Sequence, residues 1–149
     1  MNLKDIINAW DVLEKVGKPE LTFTLRKGNE TTLNNIIGLV EAMPSFNDKD
    51  NQVVSRELKR LIEALPKTYY NEGNINNGDY MINQITLRGD DTILLRGVKT
   101  VREETKEDLE KIKRLVNTIA KDMKADEYTV KCEDYGFKMQ EIKIRLWWD

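Results

Sequence analysis

Histidine is absent from the 149 residues, and cysteine occurs once, as Cys132. Without histidine the chain lacks the commonest general base, the usual activator of a Ser or Cys nucleophile and the commonest zinc ligand. A single cysteine makes no intrachain disulfide and no thiolate zinc site, and nothing in the composition calls for an oxidising compartment. No apolar run approaches the roughly 20 residues that span a bilayer. Met1–Val16 carries charges every few positions and has no apolar core of the signal-peptide kind, so a cytoplasmic location without membrane association is expected. An excess of one charge is also missing. The formal net charge of −2 argues against a general polyanion binder and against an acidic mimic of DNA. The glycines are scattered turn residues, and none builds a phosphate-cradling loop.

What remains describes a globular chain, with 40% hydrophobic and 34% charged residues. Its length suits one domain, residues 1–149, with a real core. Lysine outnumbers arginine two to one, asparagine and isoleucine are frequent, and alanine is scarce. That bias fits an AT-rich coding genome, such as a low-GC bacterium or one of its phages.

A near-repeat organises the chain. TLRKGNETTL at 24–33 returns, one residue shorter, as TLRGDDTIL at 86–94. Each copy alternates apolar and polar residues into a Gly flanked by Asn or Asp, then runs into Thr and aliphatics, as a β-hairpin does. Each is followed some way on by an amphipathic helix.

Helical spacing of Leu3, Ile6, Ile7, Trp10 and Leu13 predicts a helix over Leu3–Val16, with Asn2 as cap and Gly17 and Pro19 as the stop. Leu21, Phe23 and Leu25 alternate with Thr22 and Thr24 in a strand over Leu21–Arg26. Residues 31–43 read either as the return strand or as a short helix before Pro44. A second helix is expected over Asn51–Leu65, then a long turn-rich connection at 67–79. The second hairpin spans Asp79–Val98 and turns at Arg88–Asp91. The third helix covers Glu103–Lys124 with a seam of Leu109, Ile112, Val116, Ile119 and Met123. A third hairpin joins Glu127–Glu133 to Phe137–Trp148 through Asp134–Tyr135–Gly136, and opposite parities of Phe137/Met139 and Ile142/Ile144 call for a bulge near Gln140. The expected fold is α+β: three helix-hairpin units, a largely antiparallel sheet, and helices packed on one face.

Acids early and bases late in the third helix complement its dipole, and its apolar seam is expected on the chain's own sheet rather than in a coiled coil. In the second helix, Arg56 and Arg60 stand at i,i+4 with Lys59 beside them, a spacing at which like charges oppose the helix. Tyr69 and Tyr70 follow, and basic groups next to aromatics suit phosphate contact with base stacking. The 67–79 connection is long enough to be a binding loop. Burial of the Ile142/Ile144 face would project Trp147 outward among charges, as an interface anchor projects. Glu141-Ile142-Lys143 with Asp134 resembles the acid-x-Lys arrangement of metal-dependent nucleases only faintly. Asp48-Lys49-Asp50-Asn51 starts like a calcium loop but has Val53 where Gly is needed and Lys59 where the bidentate Glu is needed, so it reads as a solvated helix entry. Cys132 alternates with Tyr128 and Val130, as an inward structural thiol would.

No catalytic residue, metal ligand or cofactor is assigned. The leading expectation is a small non-catalytic protein that binds another protein, such as a phage or mobile-element inhibitor or regulator, by burying loop and aromatic surface or by edge-strand addition. Its candidate contact residues are Arg56, Lys59, Arg60, Tyr69, Tyr70 and Trp147. The alternatives are a nucleic-acid-binding module using the second helix and the tyrosine pair, and a carboxylate- and metal-dependent enzyme.

Overall fold

The computed structural model describes residues 2–17, 19–25, 30–43, 45, 49–64, 67–68, 79–80, 82–100, 105–136 and 139–149. Its elements run α1 (Leu3–Lys15), β1 (Glu20–Thr24), α2 (Glu30–Ala42), α3 (Asn51–Ala64), β2 (Lys67–Thr68), β3 (Asp79–Tyr80), β4 (Ile82–Arg88), β5 (Thr92–Thr100), α4 (Thr105–Asp122), β6 (Glu127–Gly136) and β7 (Met139–Trp147). Strands β1, β4, β5, β7 and β6, in that order, make a five-stranded antiparallel sheet, and β2 pairs with β3 separately. Helices pack on one face of the large sheet, so the α+β class expected from the sequence is present.

The predicted cap of α1 forms: Asn2 Oδ1 accepts from the Asp5 amide at 2.9 Å, and Asp5 returns a contact to the Asn2 amide. Gly17 supplies the left-handed turn after the helix at φ +79. In α3, Asp50 accepts from the Gln52 amide, and Ser45 Oγ accepts from the Asn51 amide.

Alternation builds the sheet's inner face. In register, Leu21, Leu87, Ile93 and Leu146 form one row across four strands, and Phe23, Ile85, Leu95, Ile144 and Val130 form the next across all five. These rows join one hydrophobic cluster with Ile6 and Trp10 of α1, Ile36 and Val40 of α2, Leu58 and Leu61 of α3, and Val116 and Ile119 of α4. The seam of α4 is thus spent on its own core and not on a coiled coil. Trp148, 2% exposed, closes the cluster and donates from Nε1 to the Met123 carbonyl.

Four expectations are corrected. The first repeat copy is not a hairpin: its second half opens α2, because Leu33, Ile36, Ile37 and Val40 recur at helical spacing and are buried together. Strand β1 pairs instead with β4, so the first unit is helix-strand-helix and the threefold helix-hairpin repeat does not hold. Strand β6 runs through the predicted turn to Gly136, which pairs with Met139. The irregularity lies in β6 between Asp134 and Gly136, whereas β7 pairs with β5 residue for residue from Met139 to Trp147, with no bulge at Gln140.

The second copy does form a hairpin. Positive φ falls on Asp91 (61°) rather than on its glycine, in a three-residue loop closed by the Asp91 amide on the Arg88 carbonyl. Gly89 has a different duty. Its amide donates to Pro19 at 2.9 Å, and a Cβ there would lie 2.0 Å from Pro19 Cγ.

Candidate functional site

With the helices on the inner face, alternate residues of the same strands form a second, open face. Its rows follow from the register. Arg88 pairs with Glu20 and Thr92, and Thr92 with Trp147, which pairs with Glu127. Thr22, Thr86, Leu94, Arg145 and Thr129 form the next row, then Thr24, Gln84, Arg96, Lys143 and Lys131. Glu141 and Glu133 lie beyond.

Trp147 lies on this face as its parity predicts. It is partly buried, with the Arg145 guanidinium carbon 5.8 Å from its ring centroid. Arg145 also meets Glu127 at 3.5 Å, so the ring and the cation hold one another in place. Thr22 and Thr86 share a hydroxyl-hydroxyl hydrogen bond of 2.8 Å across β1 and β4. Leu94 sits in the middle of the row, partly exposed.

Charge on the face is interleaved. Arg96, Lys143 and Lys131 stand directly abreast, an arrangement in which like charges oppose one another. Glu141 lies 3.6 Å from Arg96 and 3.9 Å from Lys143, spreading one carboxylate over two cations. The Glu141–Lys143 pair therefore has an electrostatic task in the sheet. No group of three or more His, Cys, Asp or Glu able to hold a metal occurs among the described residues, and the Asp134 side chain lies outside the description.

The other candidates lie elsewhere. Arg56, Lys59 and Arg60 are exposed on α3, in the helical layer and not on the open face. Arg56 reaches Glu57 at 3.5 Å, while Arg60 meets Glu57 at 2.8 Å and Asp122 of α4 at 3.3 Å. The hydrogen bond and charge of Glu57, reinforced by Asp122, raise the Arg60 guanidinium above its ordinary pKa. Glu57 lies between the i,i+4 arginines and offsets their repulsion, and Asp122 ties Arg60 to α4. Tyr69, Tyr70 and the rest of 69–78 lie outside the described residues. The structure therefore does not join Trp147 to the arginines.

Lys49 was missed. It is 5% exposed, ion-paired to Asp91 at 3.1 Å, with its ammonium 5.4 Å from the Trp148 ring centroid. It is not part of a solvated helix entry. It fastens the segment before α3 to the β4–β5 turn, beside a cleft of about 200 Å³ lined by Trp10, Glu14, Met43, Lys49, Arg88, Gly89 and Asp91. Charges around this cleft are matched within the protein: Trp10 Nε1 donates to Glu14 at 2.8 Å, and Arg88 lies 3.6 Å from Glu20. The partner of Lys49 stands 42 residues away, so only an alternating-sign pattern around the turn could have hinted at it.

A second groove, of about 300 Å³, lies between α4 and the edge strand β6 and is lined by Lys113, Asn117, Tyr128 and Val130. The Tyr128 hydroxyl donates to Asn117 Oδ1 across it. Cys132 is partly buried against the core on the same strand, consistent with a structural thiol. No protein-family model matches the chain, and no curated protein or solved structure matches it.

Proposed function

We propose that the protein is a cytoplasmic, non-catalytic binding protein whose open sheet face docks on another protein. The observation that carries this reading is the chemistry of that face: Trp147, held by Arg145, beside Leu94, three threonines and an interleaved set of cations and carboxylates. Aromatic and arginine side chains at the centre of a patch, with polar surroundings, are the usual anchors of protein interfaces. A nucleic-acid surface would need an excess of cations following a phosphate backbone. Here Glu20 and Glu127 flank the row of Arg88 and Trp147, and Glu141 and Glu133 border the row of Arg96, Lys143 and Lys131. The arginines of α3 are similarly engaged by Glu57 and Asp122, which weighs against the nucleic-acid alternative. An accessory inhibitor or regulator, of the kind phages and mobile elements encode, is consistent with this mode of action and with the lysine-rich, alanine-poor composition.

The test is quantitative affinity capture from nuclease-treated lysate, comparing wild type with Trp147→Ala and Arg96→Glu. The expected result is a stoichiometric protein partner lost by both variants, while Arg56→Glu on the helical layer retains it. Equal capture by all four proteins would refute the assignment, as would recovery that disappears with nuclease.

A further inference from the structure

The edge strand β6 bonds to β7 on one side and to no described strand on the other, leaving a line of backbone donors and acceptors for an added strand. Its side chains are arranged for one particular addition. We infer that β6 pairs antiparallel with β6 of a second copy of this chain, about a two-fold axis at Thr129, joining two sheets into one.

A two-fold axis makes the same patch face itself, so each residue must suit its mirror position. Centred on Thr129, Glu127 of one copy stands opposite Lys131 of the other, twice, on the open face. On the inner face Tyr128 stands opposite Val130, also twice, an aromatic with a β-branched residue. Both faces of the strand are thereby complementary. Centring on Val130 would oppose Glu127 with Glu133, and centring on Lys131 would oppose that lysine with itself. Centring on Cys132 offers Lys131 to Glu133 but places Val130 against Asp134.

Two features of the isolated chain fit this arrangement. Lys131 ends the row of cations begun by Arg96 and Lys143, with no described carboxylate within ion-pair reach. The second copy's Glu127 would complete that row. Tyr128, 37% exposed, borders the groove with Val130, Lys113 and Asn117, and the second copy's Val130 and Tyr128 would cover it. The pairing leaves Trp147 uncovered, one strand in from the edge; because Glu127 also meets Arg145, Lys131→Glu is the variant that leaves the Arg145–Trp147 contact untouched.

Sedimentation velocity at low ionic strength, where these pairs are least screened, tests the inference. Wild type should dimerise reversibly in the micromolar range. Glu127→Lys and Lys131→Glu should each weaken the dimer roughly tenfold or more by opposing like charges at both symmetric positions. The exchange variant carrying both substitutions should restore it. These side chains are exposed, and circular dichroism would verify that each variant is folded. A wild type that remains monomeric overturns the proposal. So does a dimer indifferent to both single changes, or one broken by Glu133→Lys and not by Glu127→Lys, which would mark the Cys132-centred register.

Discussion

Strands β5 and β7 carry two unlike surfaces on alternate residues. On one side Ile93, Leu95, Ile142, Ile144 and Leu146 are almost completely buried. On the other, Leu94, Arg96, Lys143, Arg145 and Trp147 remain partly or fully exposed. The backbone and the register are common to both faces, so the difference lies in what covers them. The inner set is fixed by helices contributed from most of the chain's length, and its residues answer to packing. The outer set answers to cross-strand neighbours alone, and there the chain keeps three cations abreast that weaken the sheet slightly. A like-charge row tolerated on an uncovered face, two rows from Trp147, is what the proposed docking role would call for.

Substitutions can break or sharpen this contrast. The largest effect belongs to the inner face: Ile144→Ala removes a fully buried side chain and should cost about 2–5 kcal/mol in urea unfolding. Asp91→Asn keeps a residue tolerant of positive φ but removes the carboxylate from Lys49. A loss of about 2–3 kcal/mol is expected, short of the full cost of breaking a buried pair because Asp91 is 28% exposed. Gly89→Ala, which drives a methyl into Pro19, should cost about 1–3 kcal/mol and loosen β1 from the β4–β5 turn. On the open face, Trp147→Ala should cost less than the Ile144 change, by about 1 kcal/mol or more, while abolishing partner capture. The smallest shift is expected for Thr92→Val. Its buried Oγ1 has no hydrogen-bond partner among the described residues, so stability should be unchanged or slightly raised. A clear loss there would show that the hydroxyl is satisfied in solution.

Much of this contrast was legible in the residues. Period-two spacing in the last strand placed Ile142, Ile144 and Leu146 inside and Trp147 outside, and helical spacing found α1, α3 and α4. The repeat misled at one copy. Thr31, Thr32 and Leu33 resemble the return strand of the second copy, but Ile36, Ile37 and Val40 extend the apolar stripe to a third turn, and burial of that stripe selects the helix. Gly89 reads as a turn glycine and does lie in the β4–β5 turn, but local sequence says nothing of its packing on Pro19, 70 positions earlier. Lys49 reads as solvated for the same reason: a buried lysine is recognised by its partner, and Asp91 is remote in sequence. The order β1-β4-β5-β7-β6, which makes β6 an edge, is likewise a product of tertiary assembly and not of any local pattern.

In the proposed function the uncovered face, and not the helical layer, meets the partner. Hydroxyl-radical footprinting of the protein, alone and with the partner recovered by capture, measures this directly, because Trp147 and Leu94 report one face and Val12 and Val16, both well exposed, report the other side of the molecule. Protection of Trp147 and Leu94 with Val12 and Val16 unchanged is the predicted result. Protection of the α1 residues with Trp147 still reactive would contradict it.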